Sequence, residues 1–198
     1  MEQKNKGIQR GLSLQQIVDS REHCVFRTKE DWEQFVKRHH FNIEEIPHIS
    51  GLWEALRGLL QPRAWYMQNE NTEVLVTVTL GDGLDELQEL YLEREEVGDA
   101  YILECLGMSI LQRAYEELQP FLHDALNLWM GPFCFIDQPD RIKEILEQLG
   151  DCTISLTDAG MLLPKKSVVF TAPLEKERKD SSCHICDQCT LFSCPNRV

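Results

Sequence analysis

The run Thr72-Glu73-Val74-Leu75-Val76-Thr77-Val78-Thr79-Leu80 constrains the fold more than any other stretch of the chain. It is rich in β-branched residues and alternates in polarity, so it reads as a strand. Ala64-Trp65-Tyr66-Met67-Gln68 reads as a second strand, and Asn69-Glu70-Asn71 between them as a turn, which makes the pair a hairpin. Gly81-Asp82-Gly83 breaks the second strand ahead of a helix expected from Leu84 to Glu93. A strand, a glycine turn and a helix can cradle phosphate. Here the dinucleotide fingerprint and the P-loop lysine are both missing, so the turn reads as a plain one, with Asp82 or a neighbour capping the helix.

Helical patterns lie on both sides of this hairpin. Residues 1–11 are polar and expected to be loose, and Ser13 reads as the N-cap of a short helix through Val18. Cys24-Val25-Phe26-Arg27 reads as a short strand. Thr28-Lys29-Glu30-Asp31 has the form of a capping box, with Trp32, Phe35 and Val36 on one face of the helix it opens and an end near His39-His40. His39, His40 and His48 do not present an i,i+4 ligand pair and are expected at the surface. A second helix runs from Glu44 to Leu60, interrupted or begun at Pro47. After a Gly98-Asp99 joint, a long helix is expected to about Leu128. Its apolar positions on more than one side predict deep burial, Gly107 a close neighbour, and Pro120 a bend or a split. A further helix, Arg141 to Leu149, ends at the natural cap Gly150.

The closing stretch alternates as Ile154-Ser155-Leu156-Thr157, turns at Asp158-Ala159-Gly160, returns through Met161-Leu162-Leu163, bends at Pro164-Lys165-Lys166 and continues as Ser167-Val168-Val169-Phe170. Together the pattern predicts an α+β fold, a mainly antiparallel twisted sheet with flanking helices. The run Leu156-Thr157-Asp158-Ala159 through Pro164 to Ser167-Val168 resembles the closing motif of the activation domain of cobalamin-dependent methionine synthase. Asp158 stands where that family has Glu, and Ala159 where it has Ser. The resemblance reaches upstream to about Pro62. It implies a helical region at 1–61 packed on a main domain at 62–174, followed by a linker and tail at 175–198.

The resemblance also implies a function. The family's domain binds S-adenosylmethionine in a shallow groove and presents its methyl group to the corrinoid while an electron arrives from a reductase. This chain would then be a stand-alone member acting on a corrinoid-binding methionine synthase or a related corrinoid protein, with the cobalamin held by that partner. The segment matching the family's Arg…Pro-Gly-Tyr stretch is Trp129-Met130-Gly131-Pro132-Phe133. It lacks the arginine, inverts Pro-Gly and carries Phe for Tyr. An arginine would pair bidentately with a carboxylate, and a phenol would donate a hydrogen bond. Glu116 matches a family glutamate near the sulfonium. By residue type alone it is equally a solvated helix-face acid. With Thr157 and Asp158 of the closing hairpin, these residues are the ligand groove that the resemblance assigns, and no catalytic residue is assigned.

A separate signal closes the chain: Cys183-x2-Cys186-x2-Cys189-x4-Cys194-Pro195, four cysteines within twelve residues. Thiolates at this spacing suit an iron–sulfur cluster or zinc. The three closely spaced cysteines lean toward a [4Fe–4S] cluster, and His184 or Asp187 are alternative ligands. The other reading is a redox-sensitive thiol tail. Cys24, Cys105, Cys134 and Cys152 stand in apolar surroundings and read as buried thiols. The formal net charge of -13 argues against nucleic acid or an anionic membrane as partner. No signal-peptide h-region opens the chain and no apolar run approaches a membrane span, so a cytoplasmic location is expected. No Gly-x-Ser-x-Gly, His-Glu-x-x-His or P-loop supports an independent hydrolase or transferase. The second functional reading is a metal-binding interaction protein that kept the scaffold and lost the S-adenosylmethionine site.

Overall fold

In the computed structural model, residues 9–15, 18, 24–69 and 72–177 are described. Strand β1 is Gln9–Ser13, β2 Arg63–Asn69 and β3 Glu73–Thr79; β2 and β3 form the expected hairpin, paired from Arg63↔Thr79 to Asn69↔Glu73. Near the end of the chain come β4 (Trp129–Met130), β5 (Cys134–Phe135), β6 (Ser155–Leu156), β7 (Leu162–Leu163) and β8 (Ser167–Glu175). The main sheet is six-stranded, ordered β1-β2-β3-β8-β4 with β5 also on β8, and every pairing is antiparallel. β6 and β7 pair only with each other.

The helices are α1 (Lys29–Arg38), α2 (Ile46–Arg57, entered through a 3-10 turn at Ile43–Glu45), α3 (Gly83–Glu93), α4 (Val97–Leu126) and α5 (Pro139–Leu149). They sort onto the two faces of the sheet by the period-two alternation of its strands. Ala64, Tyr66, Val74, Val76, Val78, Phe170 and Ala172 face the large core formed with α1, α2, α3 and α4. Trp65, Leu75 and Val169 point the other way, into a smaller core with Ile142, Ile145 and Leu149 of α5 and Ile154. Leu156 and Leu162 of the β6–β7 hairpin pack there too. β3 is therefore buried on both faces rather than half-exposed.

Local chemistry sets the helix ends. Thr28 Oγ1 accepts from the Asp31 N–H at 3.2 Å, while Asp31 Oδ2 accepts from the Thr28 and Arg27 N–H groups at 2.7 and 2.9 Å, completing the expected capping box. Pro47 opens α2 rather than interrupting it, as suits a residue without an N–H. α4 passes through Pro120 unsplit. Asn127 and Gly150, both at positive φ, cap α4 and α5. Asp82 sits at the N-cap of α3 without a side-chain hydrogen bond, contrary to expectation. The glycine turn serves packing instead, since a Cβ on Gly83 would run into the carbonyl oxygen of Leu59.

The Pro164–Lys166 bend ties the end of the sheet to α3 and α4. Lys165 N–H donates to Asp85 Oδ2 at 2.8 Å, and the buried Lys166 ammonium donates to Glu104, which also accepts from Gln88. Burial pushes the Glu104 carboxyl up, but the Lys166 ammonium and the Gln88 amide outweigh it and hold the group below its usual range. Gly107 makes the room foreseen for it: a Cβ there would collide with Leu84 and lie 3.2 Å from Lys166 Cε.

Several expectations are corrected. Residues 9–13 are an edge strand, not loose chain, because β2 offers them a free edge. Ser13 therefore ends β1 instead of opening a helix, and Gln16 and Ile17 of the helix expected through Val18 lie outside the described residues. Cys24–Arg27 forms no strand. His39 is buried against α4 rather than at the surface. Cys134 is exposed and Cys24 and Cys152 are half-buried, leaving only Cys105 of the four fully inside. β8 runs on to Glu175, the first residue expected in the linker.

The two glycine environments predict opposite outcomes. Gly51 lies in α2 with nothing within 4 Å of a built Cβ, so Gly51→Ala should stabilise by about 0.5–1 kcal/mol. Gly83→Ala meets backbone and should destabilise by roughly 2 kcal/mol despite its better helix propensity. Urea denaturation of both variants tests the contrast.

Candidate functional site

The face of α4 that meets α1 carries a pocket of about 210 Å³. Its lining combines Val25, Phe26 and Phe35 with the polar Arg27, Asp31, Arg38, Gln112, Arg113 and Glu116. Phe26 is fixed by stacking on Trp32 at 4.3 Å and by edge contacts with Phe35 and Trp53. Glu116 lines this pocket with about half of its side chain exposed. Of the arginines lining the pocket, Arg113 lies one turn before Glu116 on α4, whereas Arg27 and Arg38 come from a distant part of the chain.

Polar groups cross the rim in a chain of alternating polarity. Arg38 Nη1 donates to Gln112 Oε1 at 3.1 Å, Gln112 Nε2 donates to Glu116 Oε1 at 3.5 Å, and Arg113 Nη1 lies 3.2 Å from Glu116 Oε2. Arg113 Nη2 also pairs with Glu117 at 2.7 Å, while its Nε is buried and has no hydrogen-bond partner. Burial pushes Asp31 up, yet the Thr28 and Arg27 N–H groups more than reverse this and keep its carboxyl below the usual range. Behind the pocket His39 Nε2 lies 3.4 Å from Ser109 Oγ, with the Phe35 ring 4.7 Å away. Burial, with the nearby charges of Arg38 and His40, lowers the His39 pKa to about 4.

Ser109, Gln112, Glu116, Gln119 and His123 recur at helical spacing and form one stripe along α4. The first three line the pocket, and the last two hold the segment matched to the family's ligand stretch. Gln119 donates to the Met130 carbonyl at 2.9 Å and accepts from the Met130 N–H at 3.1 Å. His123 stacks on Trp129 at 3.8 Å. By the helical rise, His123 stands about 10 Å along the axis from Glu116. Glu116 and the side chains that hold Trp129–Met130 thus share one stripe of α4, while the pocket itself ends at Glu116.

The same segment is closely integrated into the fold. Gly131 N–H donates to the Pro173 carbonyl at 2.8 Å, and a Cβ on Gly131 would lie 2.8 Å from Pro173 Cγ. Phe133 is buried, stacked on Phe170 at 4.5 Å and edge-on to Tyr115. Pro132 is exposed. Thus the Met130 backbone, the Gly131 N–H and the Phe133 ring all have partners inside the protein. Thr157 and Asp158 are not brought to this face. They form the turn of the β6–β7 hairpin, where Thr157 Oγ1 accepts from the Met161 N–H at 3.0 Å, in the layer with α5 on the opposite side of the sheet.

Cys183, Cys186, Cys189 and Cys194 lie outside the described residues. Among the described residues, no three His, Cys, Asp or Glu side chains group to hold a metal ion. Burial pushes the Cys105 and Cys152 thiols up, away from nucleophilic character. No helix among the described residues is long and apolar enough to cross a membrane.

No family model and no curated protein matches the chain. The fold is similar to a solved structure, the MetH reactivation domain bound to AdoHcy. That match has a TM-score of 0.62 at 11% identity and covers 87% of this chain and 80% of the other. The α+β architecture with its antiparallel sheet and flanking helices is thus that of a reactivation domain.

Two outcomes follow for the groove. Gln119→Leu removes both partners of the Met130 backbone and should destabilise by about 2–3 kcal/mol, with Trp129 fluorescence shifting as the segment loosens. His39 is neutral in the folded state down to about pH 4 but takes up a proton near 6.5 once unfolded. Protons therefore favour the unfolded chain between those values. Stability should rise from pH 4 to 6.5, by on the order of 2 kcal/mol, and His39→Gln should flatten that rise in denaturation curves.

Proposed function

We propose that this chain is a free-standing counterpart of a reactivation domain, one that docks on a corrinoid-binding methionine synthase or related corrinoid protein and assists S-adenosylmethionine-dependent reactivation of its cobalt. The observation that carries the reading is the fold shared with the MetH reactivation domain over 87% of the chain. In this reading residues 62–174 are the working core, 1–61 its helical support, and 175–198 a linker and metal-binding tail. Cys183, Cys186, Cys189 and Cys194 would hold an iron–sulfur cluster or zinc. The location is cytoplasmic.

Fit to S-adenosylmethionine differs along the groove. S-adenosylmethionine supplies a methyl group activated by a sulfonium. At the α1 end Glu116 supplies a half-exposed carboxylate at the pocket, a group of the sign that attracts the sulfonium, although Arg113 already lies 3.2 Å from it. At residues 129–133 the fit is poor, since the polar groups of Met130 and Gly131 already have partners and Phe133 fills the core. No step is assigned to that segment.

The engaged 129–133 segment also favours a second reading, an interaction protein that kept the docking scaffold and lost the ligand. Two measurements separate them. In the first, a corrinoid methionine synthase lacking its final domain is held as cob(II)alamin with reductant and S-adenosylmethionine. Adding this protein should restore the methylcobalamin absorbance, and Glu116→Gln should slow that restoration at least tenfold. In the second, calorimetry with S-adenosylmethionine should give binding heat. Complex formation without heat or methylation would establish the interaction protein, and no complex at all would remove both.

A further inference from the structure

The long helix α4 is apolar on more sides than the fold covers. Its inward sides pack into the large core, while its outward side leaves Val97, Tyr101 and Met108 each half exposed or more. These residues are four and seven apart, so they share one stripe of the helix. By the helical rise the stripe is about 16 Å long. Leu92, 53% exposed, extends it into the α3–α4 turn. That turn is held tight, with the Glu95 N–H donating to the Leu92 carbonyl and the Glu96 N–H to the Tyr91 carbonyl.

We propose that this face docks a basic amphipathic helix of another protein. The partner's apolar side would lie along Val97, Tyr101 and Met108, with its Lys or Arg residues toward the α3–α4 turn. The proposal needs no corrinoid and stands apart from the reactivation reading. Two features select this occupant.

The first is shape. Single exposed apolar side chains are ordinary on a protein surface. Four in line along one helix and the turn before it are a different matter. Such a stripe matches the i, i+4, i+7 anchors that a second helix presents.

The second is charge. From Asp82 to Glu104 the chain carries nine acids, and Arg94 is the one base. Two of those acids are taken: Glu104 by the Lys166 ammonium, and Asp99 by His48 at 2.7 Å. Glu89, Glu93, Glu95 and Glu96 are exposed and form no ion pair among the described residues. They gather at the Leu92 and Val97 end of the stripe and repel one another. A cationic partner relieves that repulsion and is drawn to the face by it. The same field works against other occupants. A second copy of this chain would set its own acids against these, and an anionic lipid surface would be repelled.

The test titrates the full chain with a synthetic helix of about 18 residues, leucine along one face and lysine along the other. One-to-one binding is expected by calorimetry. A version with glutamine for leucine and a version with glutamate for lysine should each bind at least tenfold more weakly, because one lacks the apolar face and the other the charge. Val97→Ser with Met108→Ser, and separately Glu93→Gln with Glu96→Gln, should each weaken the parent peptide at least fivefold. Met161→Ser, at an exposed apolar residue on the far side of the sheet, should leave it unchanged. Amide shifts of the unmutated chain should centre on residues 92–108, which locates the face even should a variant fold poorly. Absence of heat at millimolar peptide, equal binding of either control peptide, or shifts elsewhere would overturn the proposal. So would a dimer of this chain, or binding to phosphatidylserine vesicles, that Val97→Ser with Met108→Ser abolishes, since either would give the face to a different occupant.

Discussion

The structure depends first on the pairing of β3 with β8. Seven residue pairs, from Glu73↔Pro173 to Thr79↔Ser167, join chain segments separated by nearly the whole of the intervening helical region. Closing so long a loop has an entropic cost that grows only slowly with length, roughly as its logarithm. What offsets the cost is the two-sided burial that the pairing creates. Val76 and Phe170 face one core while Leu75 and Val169 face the other, so neither layer can assemble without this ladder. The short strands β4 and β5 then add to β8, and β1 adds to β2, each using an edge that the central pair has already made.

That central ladder also divides the chemistry. α4 lies on one side with its stripe from Ser109 to His123, and α5 with the β6–β7 hairpin on the other. A hairpin that the sequence joins to the end of the sheet is therefore separated in space from Glu116 by the sheet itself. The link between the two sides is the Pro164–Lys166 bend, which crosses over to bind Asp85 and Glu104. Gly107 permits that crossing because no other residue would leave space for both Leu84 and the Lys166 stem. This joint, with the Lys166 ammonium buried and the Glu104 carboxylate part-exposed, fixes how the two layers meet.

Legibility in the sequence followed the range of the interaction. The Thr28–Asp31 box, the β2–β3 hairpin, the cap at Gly150 and the closeness at Gly107 are local statements, and residues near in sequence determine them. β1, β4 and β5 were not legible, because a two- to five-residue strand has no pattern of its own and exists only where a partner edge awaits it. His39 looked like a surface residue for the same reason: Phe35 of its own helix covers one side, but Ser109 of α4 and Phe41 complete its burial. The pocket was half legible. Glu116 could be singled out by resemblance, but Arg38 reaches it only because α1 packs against α4, a tertiary fact with no periodic trace.

The segment 129–133 is closed into the fold along both of its edges. β4 pairs with β8 along one edge, and along its other edge the Gln119 side chain supplies the acceptor and donor that a neighbouring strand would supply. Gly131 is required there because Pro173 and Glu175 approach too closely for a side chain. Phe133 carries no polar group and packs inside against Phe170 and Tyr115. Each contact favours the next: an inward ring anchors the short strand, and the anchored strand presents its backbone to Gln119. The charged cleft lies toward the other end of the α4 stripe, where Arg38 meets Gln112 and Arg113 meets Glu116. The two ends of one helix face thus differ, one holding the sheet closed and the other lining a pocket.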